Sequence, residues 1–406
     1  MDIMKKALDM HEQYTGKMEI QSKVPMNDSY DLSLAYSPGV AAPCMEISEN
    51  PAAVYDYTVK GNFVAVVSDG TAVLGLGDIG AEASLPVMEG KALLLKRFAN
   101  VDAIPIVLNT TNVDEIVRTV KNIAPTFGGI NLEDISAPRC FEIEDRLRAE
   151  CNIPIFHDDQ HGTAIVTAAG LQNAMKLVQK NKEDVKVVIN GAGAAGIAVL
   201  KILAQIGYAN IYMCDTKGLI YEGRAEGMNP IKETIAHLTN KERLHGTLSD
   251  ALVDADIFIG VSVANLLTKE HIESMAHDPI VFALANPNPE ITYDNAKAWG
   301  VRVIGTGRSD FPNQINNVLA FPGIFRGALD VRATDINEDM KLAAVEAIAS
   351  LVSPEELNED YVVPKPLDER VAPAVSTAVG GAAILSGVSE LFHQPTIDKA
   401  ATVEIV

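Results

Sequence analysis

Four carboxylates fall in two adjacent pairs, Glu133-Asp134 and Asp158-Asp159, and each pair follows a short apolar run. Neighbouring residues of a strand point to opposite faces, so both members of a pair can reach one ion only if the strand ends there. Two neighbouring parallel strands would bring both pairs to one sheet edge and create the hard-oxygen surroundings that suit Mg²⁺ or Mn²⁺. Helix-capping or solvated acids are the alternative for either pair alone. His157 and His161 have the i,i+4 spacing of a zinc helix. However, Asp158 stands where that motif needs Glu, a strand precedes and Gly162 follows, so no zinc site is expected.

Three further residue types could act beside such an ion. Lys91 lies within an apolar stripe of Val87, Leu94, Leu95 and Phe98 on a helix expected to begin near Pro86. A lysine kept from water there loses proton affinity and can act as a general base; a lysine snorkelling to solvent is the alternative. Tyr36 sits beside the Pro38-Gly39 turn, where a rigid structural role and a catalytic one are both open. Asn286 and the Asn316-Asn317 pair follow strand-like runs, where amides donate to a substrate carboxylate or a nicotinamide, or stabilise a turn.

A nucleotide signature lies in the second half. The run 184–190 reads as a strand, followed by Gly191-Ala192-Gly193-Ala194-Ala195-Gly196, an amphipathic helix, and a second strand from Asn210 that closes on Asp215. Glycines permit the tight turn and the close approach of a pyrophosphate to a helix N-terminus. An acid at Asp215 accepts ribose hydroxyls and repels a 2′-phosphate, so NAD is expected rather than NADP. Gly75-Leu76-Gly77-Asp78-Ile79-Gly80 has the same glycine spacing. The strand before it reads as the second arm of a hairpin, 63–67 and 72–76, turning at Ser68-Asp69-Gly70. It is therefore expected to be a turn that packs against a helix.

The elements that must position these residues are those of an α/β chain. Strand-like runs at 257–261, 280–285 and 301–305 alternate with helical stretches, as in a doubly wound parallel sheet. The expected division is a first α/β domain for substrate and metal over 1–160, a Rossmann-type NAD-binding domain over 161–392, and a tail over 393–406. The formal charge of −21 excludes a general phosphate-backbone binder, so no nucleic-acid partner is expected. Cys44, Cys140, Cys151 and Cys214 show no paired spacing, and Met1 to Tyr14 carries charges throughout, which fits a cytoplasmic protein. Residues 371–388 are uncharged but rich in Ala, Gly and Ser, so a closely packed internal helix is expected, not a membrane span.

Together these motifs resemble the short bacterial form of malic enzyme across nearly the whole chain. The resemblance runs through Ala35-Tyr36-Ser37-Pro38-Gly39-Val40, the Gly75 and Gly191 loops, both acid pairs with Gly162-Thr163-Ala164, Ala285-Asn286-Pro287 and Asn316-Asn317. It implies oxidative decarboxylation of L-malate to pyruvate and CO₂ with NAD and a divalent metal, along with possible oxaloacetate decarboxylation. It also implies Glu133, Asp134 and Asp159 as metal ligands, Lys91 as base, Tyr36 as acid, and Asp158 as a supporting carboxylate. Asn286 and Asn317 would contact malate, and the family implies a homodimer or higher oligomer. Larger members carry an arginine for the substrate carboxylate where this chain reads Thr71-Ala72-Val73. The rival readings are a malolactic decarboxylase that retains its NADH, a non-catalytic NAD sensor, and an amino-acid dehydrogenase, which has no need of four clustered carboxylates.

Overall fold

The structure is a computed structural model that describes residues 3–73 and 75–392; the expected tail 393–406 lies outside the described residues. Two parallel sheets form in succession. The first contains β1 (Phe63–Ser68), β2 (Asp102–Val107), β3 (Gly129–Leu132) and β4 (Ile155–His157), in the order β2-β1-β3-β4. The second contains β5 (Lys186–Asn190), β6 (Asn210–Asp215), β7 (Gly218–Leu219), β8 (Ile257–Gly260), β9 (Ile280–Ala283) and β10 (Val303–Thr306), in the order β10-β9-β8-β5-β6-β7. Only the β6–β7 pair is antiparallel. Strands such as Phe63-Val-Ala-Val-Val and Ile257-Phe-Ile-Gly are apolar without alternation because both faces of a parallel sheet are covered.

Each sheet reverses its strand order once, between β1 and β3 and between β5 and β8. Such crevices at the carboxyl ends of the strands are where α/β proteins bind ligands. Glu133 and Asp158 follow β3 and β4 at the first, and Gly191 follows β5 at the second.

The hairpin expected across Ser68-Asp69-Gly70 does not form. β1 pairs in parallel with β2 and β3 instead, and Val73 makes only a single bridge to Gly77. The turn is held from outside: Asp69 is salt-bridged to Arg139 at 2.7 Å, and the Ala72 N–H donates to the Asp134 carbonyl at 2.9 Å. Long-range partners override a local turn signal here.

One apolar core joins both sheets, from Val64 and Ile130 through Ile165 and Phe325 to Val187 and Ile259. The helix Asp158–Val178 leaves the first sheet and packs on the helix Ala194–Gln205 of the second. After β10 the chain returns: the helix Phe321–Asp330 packs on the helix Ala81–Ala99, then on Val371–Leu385. Gly327 makes that last contact possible, because a Cβ there would sit 2.5 Å from the Ser376 carbonyl oxygen. The small residues of 371–385 thus serve close helix packing, and among the described residues no helix is long and apolar enough to cross a membrane.

Candidate active site

β3 stops at Leu132, and Asp134 takes φ +54°, a left-handed conformation that Asp tolerates better than most residues. The extended path ends there, so Glu133 and Asp134 need not diverge. The β3–β4 register sets Leu132 beside His157, which brings Asp159 to the same edge. One carboxylate oxygen from each of Glu133, Asp134 and Asp159 lies within 4.8 Å of the others. The Asp134 N–H also donates to Asp159 Oδ2 at 2.7 Å. Asp158 and Asp159 form the first turn of the helix Asp158–Val178, whose N-terminal field favours negative charge.

Lys91 is buried rather than snorkelling, one of the two alternatives its place in the stripe left open, but its environment has the opposite sign to the one expected. Its Nζ lies 2.5 Å from Asp158 Oδ2 and 2.8 Å from Glu133 Oε1, and 4.2 Å from the centre of the Phe321 ring. Burial alone would strip its proton; the two carboxylates more than offset this and hold the ammonium above its ordinary value. On the acid side, burial pushes Glu133 up to about 7 even though Lys91 pulls the other way, and the neighbouring Asp159 adds to the rise. Burial also pushes Asp158 up to about 6 against the pull of Lys91.

Asn317, the first residue of a short 3₁₀ turn Asn317–Leu319, donates from Nδ2 to Asp158 Oδ2. Residues 159 apart in sequence therefore meet on one oxygen. Asn286 is held by a different contact. Gly75, at φ +77°, approaches so closely that a Cβ there would lie 2.2 Å from the Asn286 carbonyl oxygen. Gly75 thus packs on the Asn286 backbone rather than against a helix, and the turn runs through Gly80 directly into the helix that carries Lys91. Tyr36 is not brought to this cluster by any hydrogen bond. It follows the helix Ser29–Ala35 and is 68% exposed. His161 turns away from the acid cluster, its Nε2 2.9 Å from Glu144, whereas His157 borders it, its Nε2 3.8 Å from Asp159 Oδ2.

Sequence reading missed several partners. Asn131 Nδ2 donates to Glu133 Oε2 at 2.8 Å, and its i,i+2 position on β3 was a usable signal. Phe321 left no local signal, since only the returning helix brings it to Lys91. Arg224 and Lys232, which bind Asp215 at 2.5 and 2.6 Å, were also unforeseen.

A divalent cation and a dinucleotide each fit the residues present. Three crowded carboxylates, two of them buried, form an all-oxygen donor set whose mutual repulsion calls for a cation. At the second crevice, Gly191 takes φ +117°, and a Cβ on Gly196 would meet the Gly191 carbonyl oxygen at 1.8 Å. Gly193 faces open space, with nothing within 4 Å of its would-be Cβ. This cradle at the N-terminus of the helix Ala194–Gln205 suits a pyrophosphate.

A Rossmann-type nucleotide sheet beside an acid-and-lysine crevice defines a two-domain, nucleotide-linked oxidoreductase. Comparison with known proteins narrows this. Residues 15–148 match the malic enzyme N-terminal domain and residues 160–384 the malic enzyme NAD-binding domain. A bifunctional malic/malolactic enzyme of Bacillus subtilis is 65% identical over 395 residues, covering 97% of this chain and 96% of the relative. An NAD-dependent malic enzyme of Geobacillus stearothermophilus is 58% identical over 380 residues, covering 94% of this chain and 79% of the relative. The crystal structure of malic enzyme from Pyrococcus horikoshii superposes with a TM-score of 0.92 at 47% identity, over 97% of this chain and 93% of that one. The chain belongs to the malic enzyme family.

Proposed function

We propose that the protein converts L-malate and NAD to pyruvate, CO₂ and NADH, with a divalent cation held by Glu133, Asp134 and Asp159. The observation that carries this reading is Lys91 shared between Glu133 and Asp158 at 2.8 and 2.5 Å, beside the three-acid cluster. When bound, the cation supplies Lewis acidity to the substrate oxygens and NAD supplies the hydride acceptor.

The chain's own residues do the rest. With Glu133 engaged as a ligand, one of the two anions at Lys91 would be partly neutralised; Lys91, having passed its own proton to solvent, would then take the proton of the malate hydroxyl. Asp158, fixed between Lys91 and Asn317, keeps the amine aimed and receives part of its charge. Asn286 and Asn317 offer amides to the substrate carboxylates, a role supported by the lack of an arginine at Thr71-Ala72-Val73. Tyr36 returns a proton to C3 of enolpyruvate. Gly191-Ala192-Gly193-Ala194-Ala195-Gly196 would hold the NAD pyrophosphate, with Asp215 at the ribose end.

Tyr36 also bears on assembly. The helices Ile3–Tyr14, Ser29–Ala35 and Ala41–Glu49 contain no buried residue, and Ile3, Leu8, Ile20, Leu34 and Tyr36 face solvent. An exposed arm of this kind, with apolar side chains among its charges and with the acid on it, supports a homodimer in which it packs on a second copy. We read the chain as domains 1–160 and 161–392; the presence of two separate sheets supports this reading.

Steady-state assay with malate, NAD and Mn²⁺ or Mg²⁺ tests the reading: NADH and pyruvate should accumulate in equal amounts, and chelation with EDTA should stop both. Absence of metal-dependent turnover would end it. Identity with a malic/malolactic enzyme supports a second outcome at the same site, reduction of pyruvate to lactate by retained NADH. Lactate formed without net NADH would mark it.

A further inference from the structure

Malate carries two carboxylates, and the crevice proposed to receive it already holds Glu133, Asp134, Asp158 and Asp159. Lys91, the cation within that cluster, is shared between Glu133 and Asp158 at 2.8 and 2.5 Å. Asn286 and Asn317 bring amides but no charge. A dianion taken from water into such surroundings needs a further cationic partner.

Arg308 borders Asn286. β10 ends at Thr306, and the loop 307–316 runs from there to Asn317. Both ends of this loop are tied to residues of the crevice: a Cβ on Gly307 would lie 3.1 Å from Asn286 Nδ2, and Asn317 Nδ2 donates to Asp158 Oδ2. Arg308 Nη1 donates to the Pro287 carbonyl at 3.3 Å, one residue beyond Asn286. Its Nε and Nη2 donate to Asp310 Oδ1 and Oδ2 at 2.8 and 2.7 Å, and the guanidinium lies 5.6 Å from the centre of the Phe311 ring. These contacts fix the plane of the group without filling it. A guanidinium has five N–H donors, and among the described residues three are used. The two that remain sit one on each terminal nitrogen, a spacing that matches the two oxygens of a carboxylate. The Arg308 side chain is 37% exposed and that of Asp310 52%, so a solute can reach the arginine and the ion pair offsets little of its charge.

The reaction distinguishes the two carboxylates of malate. The one at C4 leaves as CO₂ and gives up its charge in the transition state, so a cation paired with it would stabilise substrate more than transition state. The one at C1 stays charged from malate through to pyruvate. We propose that Arg308 anchors the C1 carboxylate through its two remaining N–H groups, and so sets the affinity for the 2-hydroxy acid and its 2-oxo product alike. This rests on the reading that malate is the substrate.

The test is steady-state kinetics of the full-length protein with L-malate, NAD and Mn²⁺, with pyruvate added as inhibitor. Arg308→Gln should raise the KM for malate and the inhibition constant of pyruvate by a common factor of about 10–100, with kcat within about threefold. The dissociation constant of NADH, measured by fluorescence, should stay within about twofold. Arg308→Lys keeps the charge but loses the paired donors, and its KM for malate should stay at least about fivefold above that of the original protein. Asp310→Asn leaves the guanidinium in place and should keep KM within about threefold. A rise in the malate KM with pyruvate inhibition unchanged would put Arg308 on the C4 carboxylate and overturn the proposal. A parallel loss of NADH affinity, or a lysine variant with unaltered KM, would also overturn it. Malate oxidation that is the same in all three variants sinks this proposal alone, whereas an original protein that does not oxidise malate sinks the substrate reading with it.

Discussion

Lys91 illustrates what a single residue's environment decides. Its helical position placed it on the apolar face marked by Val87, Leu94, Leu95 and Phe98, which allowed either burial or snorkelling to solvent. Its charge state was not legible, because Glu133 and Asp158 come from strand ends 42 and 67 positions away (133 − 91 and 158 − 91). Local reading sees desolvation and misses the counter-charges. Lys91→Ala should lower kcat for malate oxidation on the order of 10²–10⁴-fold. NADH affinity, measured by fluorescence titration, should stay within about twofold, since the lysine lies outside the nucleotide cradle. A variant with near-normal turnover would remove Lys91 from the chemistry.

Elements set how closely these side chains meet. Both acid pairs were legible as strand ends, and β3 beside β4 brings them together, because apolar runs with nearby carboxylates define a sheet edge. The start of the helix at Asp158 and the return of Asn317 were not, since each depends on tertiary contact. Gly162 records that contact: a Cβ there would lie 2.0 Å from Asp158 Oδ1 and 2.8 Å from Asn317 Cβ. Asp158 has little room to yield, being tied to Lys91 and Asn317. Gly162→Ala should therefore lower kcat on the order of 10²-fold through misplacement of the Lys91–Asp158 pair, with cofactor binding retained.

The helix Arg139–Glu150 secures the same turn through buried Glu144, which accepts from the His157 N–H at 3.1 Å and from Gln160 at 3.0 Å. Burial raises the affinity of Glu144 for protons, but His161, followed by His157 and Lys341, more than offsets it and lowers the acid to about 2. A depressed acid contributes stability that is full above its unfolded value of about 4.3 and is lost as pH falls towards about 2. Glu144→Gln should cost about 1–3 kcal/mol at pH 7. The gap in Tm between the two proteins should narrow below about pH 4. A gap that does not change with pH would deny the ionic contribution.

At the scale of the molecule, the two-sheet α/β class was legible from alternating strand and helix patterns. The return of the helices Phe321–Asp330 and Val371–Leu385 to the helix Ala81–Ala99 was not, because periodicity tells which face is buried but not against what. The exposed N-terminal arm leads to a test of shared sites. Tyr36→Phe and Lys91→Ala proteins should each be nearly inactive. Mixed after reversible dissociation, they should regain malate oxidation if one copy supplies Tyr36 and the other Lys91. A mixture as inactive as its components would place both residues on one chain.

The apolar core that passes unbroken from β1 to β8 has a thermodynamic consequence. Two sheets with separate cores would melt separately, but here neither can lose its packing without exposing the other. Urea unfolding followed by circular dichroism and by loss of NADH binding should give coincident midpoints and one cooperative transition. A truncated second half should not remain folded alone. The catalytic crevice and the cofactor cradle would then be gained and lost together, as one foldon rather than two.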